Sequence, residues 1–203
     1  MNVIPSDQLS AIREQAGLPD LNRLFQACRP QTVSDPDNQA LICGALCFAA
    51  FSAPAATNAV FDTISASQLQ RPKPKTNNIT DLPSISIPAS FWELFQQTLV
   101  GPEGGYNATS ITLAVAGLGA GLSPDFGKLC EQVALAHPGA ADAADKATPM
   151  RLSLSELHQS PEGSLAKRLA DVLTDNQFDP EVLDRDQIGL KDLPPALRYL
   201  NTR

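Results

Sequence analysis

Positive charge is scarce in this sequence: 15 Lys and Arg stand against 22 Asp and Glu, giving a formal charge of −7 and a pI near 4.7. Proteins that bind nucleic acid neutralise phosphates with a basic surface. The densest basic stretch here, Arg71-Pro-Lys-Pro-Lys75, holds three charges and reads as a solvated linker. A nucleic-acid partner is therefore not expected. Histidine is scarcer still. His137 and His158 are the only two, and neither has a second His three or four residues away to complete a zinc or di-metal set. Four cysteines, Cys28, Cys43, Cys47 and Cys130, include no CxxC pair. Cys43 and Cys47 would share one helical face, and all four read as small core hydrophobes of a reducing compartment.

Other absences narrow the field further. No uninterrupted apolar run reaches the roughly 18 residues of a membrane span. Residues 40–56 are broken by Ser52 and Pro54, and Ile111 to Leu122 carries three glycines. The N-terminal Met1-Asn-Val-Ile-Pro-Ser-Asp7 has neither the basic nor the apolar part of a signal peptide. Asn78-Ile-Thr80 and Asn107-Ala-Thr109 accordingly read as chance glycosylation patterns. A cytoplasmic protein, at most peripheral to a membrane, is the expectation. No Gly-x-Ser-x-Gly elbow is present, and Gly117, Gly119 and Gly121 lack the spacing and the preceding strand of a dinucleotide site. The acidic residues Asp171, Asp175, Asp179, Glu181, Asp184, Asp186 and Asp192 lack the glycine and closing glutamate of a calcium loop. They read as a solvated, cap-rich surface. No catalytic residue, metal ligand or cofactor is assigned, and the chain leans away from being an enzyme.

What is present is helical pattern. Over 203 residues, 43% are hydrophobic and only 18% charged, too apolar for a disordered chain. The length fits one large domain or two small ones. Ser6 is placed to cap a helix over 7–16. Pro19-Asp20 opens a short helix through Leu21, Leu24, Phe25 and Cys28. Asp35-Pro-Asp37 opens another over 38–51, and a fourth over 56–69 carries Val60, Phe61, Ile64 and Leu69. Residues 71–89 hold four prolines and no helical period, so they divide an N-terminal part (1–70) from a C-terminal part (90–203), unless the whole is one continuous domain. Ile85 and Ile87 alternate with serines there, which allows a short edge strand.

Ser90-Phe-Trp-Glu93 and Ser153-Leu-Ser-Glu156 have the spacing of capping boxes. Ser110 is placed to cap residues 111–122. A helix over 126–136 turns Leu129, Val133 and Leu135 inward, and a short one covers 140–146. Ser160-Pro161 puts proline at a first helical position, ahead of a helix to Asn176. That helix gathers Leu165, Leu169, Val172 and Leu173 on one stripe, with Glu162, Lys167, Arg168 and Asp171 largely outside. A last helix runs from Asp192 through Leu197 to Leu200. The segments 44–54 and 117–124 echo one another as small-residue helices ending in Ser and Pro, suited to close backbone crossing at a bundle centre. The fold class is all-α: an irregular multi-helix bundle with at most one short strand pair.

The last third carries a resemblance. Pro161-Glu-Gly-Ser-Leu-Ala166, then Leu173, Asn176, Phe178 and Pro180, then Arg198-Tyr199, resemble the turn-and-helix pattern of the coenzyme Q biosynthesis protein 4 family. Pro138-Gly139 and Pro149-Met-Arg151 fall where that family has an acidic-Gly step and a Pro-Arg-Ile. The resemblance covers residues 137–200. Ala166 replaces a family glycine. The family's metal motif, His-Asp-x-x-His with a later Glu, would begin after Tyr199, where this sequence reads Leu200-Asn-Thr-Arg203. No metal ligand is carried over. The resemblance implies an all-α protein of ubiquinone or isoprenoid synthesis that holds a prenyl lipid in an apolar groove without catalysing a reaction. Cys47, Phe48, Phe51, Leu118 and Leu122, from the small-residue helices, are its candidate lining, against an ordinary core role. The alternative is a protein-interaction module or accessory subunit, acting through an exposed apolar face or as a homodimer.

Overall fold

A computed structural model describes residues 6–75, 78–137, 139, 153–178 and 194–197. All regular structure among the described residues is helical, as the sequence predicts. The first elements are α1 (Ser6–Glu14), α2 (Leu21–Ala27), α3 (Pro36–Phe51) and α4 (Thr57–Gln68), with a 3₁₀ turn at Pro54–Ala56. Then follow α5 (Ala89–Val100), α6 (Ala108–Gly117), a second 3₁₀ turn at Leu118–Gly121, and α7 (Pro124–Ala136). Two more helices, α8 (Leu154–His158) and α9 (Leu165–Asp175), complete the described set. The expected helices over 140–146 and 192–200 lie wholly or mostly outside the described residues. The chain forms two compact units, Met1–Val100 with Gly121–Leu129, and Gly101–Ala120 with Cys130–Arg203.

The first unit is organised on α3. Asp35 caps it, accepting from the backbone N–H of Asp37 at 3.0 Å and of Asn38 at 3.2 Å. Asp20 caps α2 in the same way through Asn22 and Arg23. Both caps answer N–H groups that lack a helical partner. α3 packs on α1, α2 and α4. Leu24, Cys28, Ala45, Ala49 and Val60 form one buried cluster, and Phe48, Ala53, Ala56 and Ile79 another. Buried hydroxyls are satisfied: Ser67 Oγ donates to the Phe25 carbonyl at 2.6 Å, and Thr63 Oγ1 to that of Ala59 at 2.7 Å. Gly44 on α3 meets the backbone of Gln15 so closely that a Cβ would lie 2.5 Å from the Gln15 carbonyl carbon. Gly121 does the same for α5, at 2.7 Å from the Phe91 Cα. Of the glycines in the sequence echo, Gly44 and Gly121 thus admit close backbone neighbours, whereas Gly117 and Gly119 meet nothing within 4 Å.

Residues 83–88 take no helical or strand structure and join no sheet. Ile85 donates its N–H to the Ser52 carbonyl at 3.0 Å, and Ser52 Oγ donates back to the Ile85 carbonyl. The would-be edge strand spends its hydrogen bonds on the C-terminal cap of α3. Several local expectations change. Helix α5 starts at Ala89, so Ser90 already lies inside it and donates instead to the Gly121 carbonyl at 3.0 Å. Asn107, not Ser110, caps α6, with Ser110 as the third-position partner of a reciprocal box. Ser153 precedes α8 without capping it through its side chain; its hydroxyl pairs with that of Ser155 at 2.8 Å. Leu135 on α7 is exposed rather than inward, and Phe61 on α4 and Leu69 at its C-terminal cap are exposed as well.

Candidate functional site

Four of the five candidate lining residues, Cys47, Phe48, Phe51 and Leu122, belong to the first unit, and Leu118 to the second. Phe48 is buried among Ala53, Ala56 and Ile79, and Cys47 is buried one residue before it. Phe51, one turn on, is half-buried and tilts against Phe91 with ring centroids 4.5 Å apart. Phe91 in turn stacks on Phe95 at 5.8 Å and meets the edge of Trp92 at 5.5 Å. Such aromatic contacts favour offset and edge geometries. The spacing of Phe91, Trp92 and Phe95 over one helical turn was the available signal for this cluster. Leu122 is half-buried in the same unit, whereas Leu118 is buried in the other. Burial pushes the Cys28 thiol up to about 11. Cys47 also rises to about 11, through burial first and the neighbouring Cys43 second. Thiols held protonated this way are poor nucleophiles, which agrees with the reading of Cys28 and Cys47 as core; Cys43, by contrast, is exposed and Cys130 half-buried.

The second unit presents a different surface, built on α9. The turn Pro161–Ser164 leads into it, closed by the Ser164 N–H on the Pro161 carbonyl at 3.1 Å, with Gly163 at φ +78°. Ser164, not Pro161, begins the helix, accepting from the Lys167 N–H at 3.2 Å. Helix α9 packs on α8. The side it turns that way carries Ala170, Thr174 and Lys167. Ala170 is fully buried. His158, at the end of α8, lies 3.1 Å by Nε2 from Thr174 Oγ1 and 3.4 Å by Nδ1 from Lys167 Nζ. Lysine can only donate, so Nδ1 accepts and Nε2 carries the proton given to Thr174. Thr174 passes its own hydrogen to the Ala170 carbonyl at 2.8 Å. Asp171 closes the group, 3.4 Å from Lys167 Nζ and 4.0 Å from His158 Nδ1.

The apolar stripe of α9 therefore points the other way. Leu165 is 85% exposed, Val172 57% and Leu169 38%. At spacings of four and three residues they lie on one face. The sequence reads this stripe, together with Leu173, as inward, with Glu162, Lys167, Arg168 and Asp171 largely outside. The structure changes that orientation in part: Lys167 is drawn into a polar cluster with α8, Glu162 and Arg168 stay exposed, Leu173 is half-buried, and Leu165, Leu169 and Val172 face solvent. Helix α6 adds a second unusual surface. It contains no charged residue, none of its residues is fully buried, and Leu113 and Val115 are exposed.

Among the described residues no group of three or more His, Cys, Asp or Glu side chains is placed to hold a metal. Asp171 and Asp175 are the described members of the acidic run; Asp179, Glu181, Asp184, Asp186 and Asp192 lie outside the described residues, as do Pro180, Arg198 and Tyr199 of the family resemblance. No described helix is long and apolar enough to cross a membrane. Comparison with protein-family models, curated proteins and solved structures finds no match to this chain.

Proposed function

We propose that this protein is a helical interaction module that works through apolar helix faces of its second unit. One observation carries the reading: Leu165, Leu169 and Val172 form a continuous stripe on α9 that is exposed, while the side of the same helix that carries the buried Ala170 packs on α8. Leaving such a stripe in water forgoes about 25 cal/mol for each Å² of apolar surface, which a covering partner recovers.

A second reading follows the resemblance to the coenzyme Q biosynthesis protein 4 family. In it the chain is a non-catalytic binder of a prenyl lipid, cytoplasmic or peripheral to a membrane. Helix α6 favours it, because an uncharged helix with exposed Leu113 and Val115 suits an apolar chain.

One preparation separates the two readings. The purified protein and a Leu165→Ser/Leu169→Ser/Val172→Ser variant are melted at high dilution and weighed by native mass spectrometry. The interaction reading expects the variant to melt within about 3 °C of wild type, since surface substitutions away from packed features cost little. A markedly lower melting temperature in the dilute variant would make the stripe part of the chain's own core and end that reading. The lipid reading expects a bound mass that organic extraction identifies as a prenyl compound; a bare polypeptide mass removes it.

A further inference from the structure

We infer that the exposed face of α9 is covered by α9 of a second copy of this chain, the two helices packed antiparallel. The inference names the partner for the interaction reading and rests on that reading. The argument is charge complementarity around an apolar stripe. Along Leu165–Asp175 the basic residues come first, Lys167 and Arg168, and the acidic ones last, Asp171 and Asp175. A helix charged this way complements its own reverse. At 1.5 Å per residue, Leu169 and Val172 straddle the midpoint of the helix. A two-fold axis there sets Leu169 of each copy beside Val172 of the other, the self-complementary arrangement of a symmetric dimer.

The flanks decide the direction. Arg168 and Asp175, both exposed, are seven residues apart and therefore lie on the same edge of the stripe, two turns from one another. The opposite edge carries Ala166 and Leu173. When two helices pack antiparallel, like edges meet, so each Arg168 comes opposite Asp175 of the second copy. Packed parallel, each charged edge would meet the uncharged one. Only the antiparallel pair uses both charges twice. It also leaves the Lys167–Asp171–His158 cluster undisturbed on the far side of the helix. One short helix on another buries less than about 1,200 Å², the range of weak and reversible complexes. The dimer is accordingly expected to form with a Kd in the micromolar range or above.

Sedimentation equilibrium of the full chain tests this, with Leu169→Asp, Arg168→Asp, Asp175→Arg and the double exchange Arg168→Asp/Asp175→Arg. Wild type is expected to show a concentration-dependent monomer–dimer equilibrium. Each single charge change should weaken it about tenfold by setting like charges opposite each other twice, and the double exchange should restore it to within about threefold. Leu169→Asp should be monomeric. A dimer lost in Leu169→Asp but indifferent to the charge changes overturns the antiparallel pairing. A wild-type monomer at every concentration overturns the second copy as partner. If Leu169→Asp then melts like wild type, the wider interaction reading stands without it; if it melts early, both fall.

Discussion

Gly44 and Gly127 both sit inside helices, yet the space around them differs completely. A Cβ on Gly44 would meet the Gln15 backbone at 2.5 Å, whereas one on Gly127 meets nothing within 4 Å. Alanine favours a helix over glycine by about 1 kcal/mol. Gly127→Ala should therefore stabilise the protein by roughly that amount. Gly44→Ala gains the same propensity but forces backbone apart, and overpacking typically costs about 1–3 kcal/mol. Urea denaturation of the two variants should move their midpoints in opposite directions; a shift of the same sign would mean that α1 does not approach α3 at Gly44. The sequence marks both residues simply as glycine in a helix. Only the neighbour distinguishes them. The same holds for Cys47 and Phe48, which any apolar lining or any core would choose alike.

Helix boundaries show where local chemistry suffices. Asp20 and Asp35 are legible as caps because each precedes an apolar period and has no competing partner. Their carboxylates bond the backbone two and three residues on. Asp35→Ala should cost about 1 kcal/mol, and Asp35→Asn much less, since asparagine caps comparably. Equal losses for both variants in thermal melts would show that the carboxylate acts otherwise than as a cap. The serines are less legible. Ser90 and Ser110 have cap-like spacing but lie inside helices that begin earlier, at Ala89 and Ala108. Ser90 finds a better acceptor in the Gly121 carbonyl, thirty-one residues away. Helix ends are obscured too. Gln70 and Gln177 take the left-handed conformation, φ 54° and 53°, just after α4 and α9. Glycine is the usual signal at such positions, and glutamine gives none.

At the scale of the molecule, the first unit encloses the thiols of Cys28 and Cys47 while Cys43 is exposed, and the second leaves the α9 stripe in water. Cys28 and Cys47 both titrate near 11 in the folded chain, against 9.0 for an unburied thiol. The folded state keeps protons that the unfolded state releases, so stability falls as pH rises from about 9 towards 11 and is unaffected by these groups below 9. Each thiol accounts for about 2–3 kcal/mol of that loss when fully expressed. Urea midpoints at pH 8 and pH 10.5 should converge for a Cys28→Ala/Cys47→Ala variant relative to wild type. An unchanged pH slope in the variant would assign the loss to other groups.

An all-α chain with a stripe of leucines on its last described long helix is determined by the sequence alone, because caps and apolar periodicity act within a few residues. Which way that stripe faces is decided only in three dimensions. Periodicity records that one side of α9 differs from the other; it does not record that His158 and Thr174 meet Lys167 and Asp171 on the polar side. Burial depends on what arrives from elsewhere in the chain. Here a hydrogen-bonded cluster takes the polar side of the helix and leaves Leu165, Leu169 and Val172 facing outward.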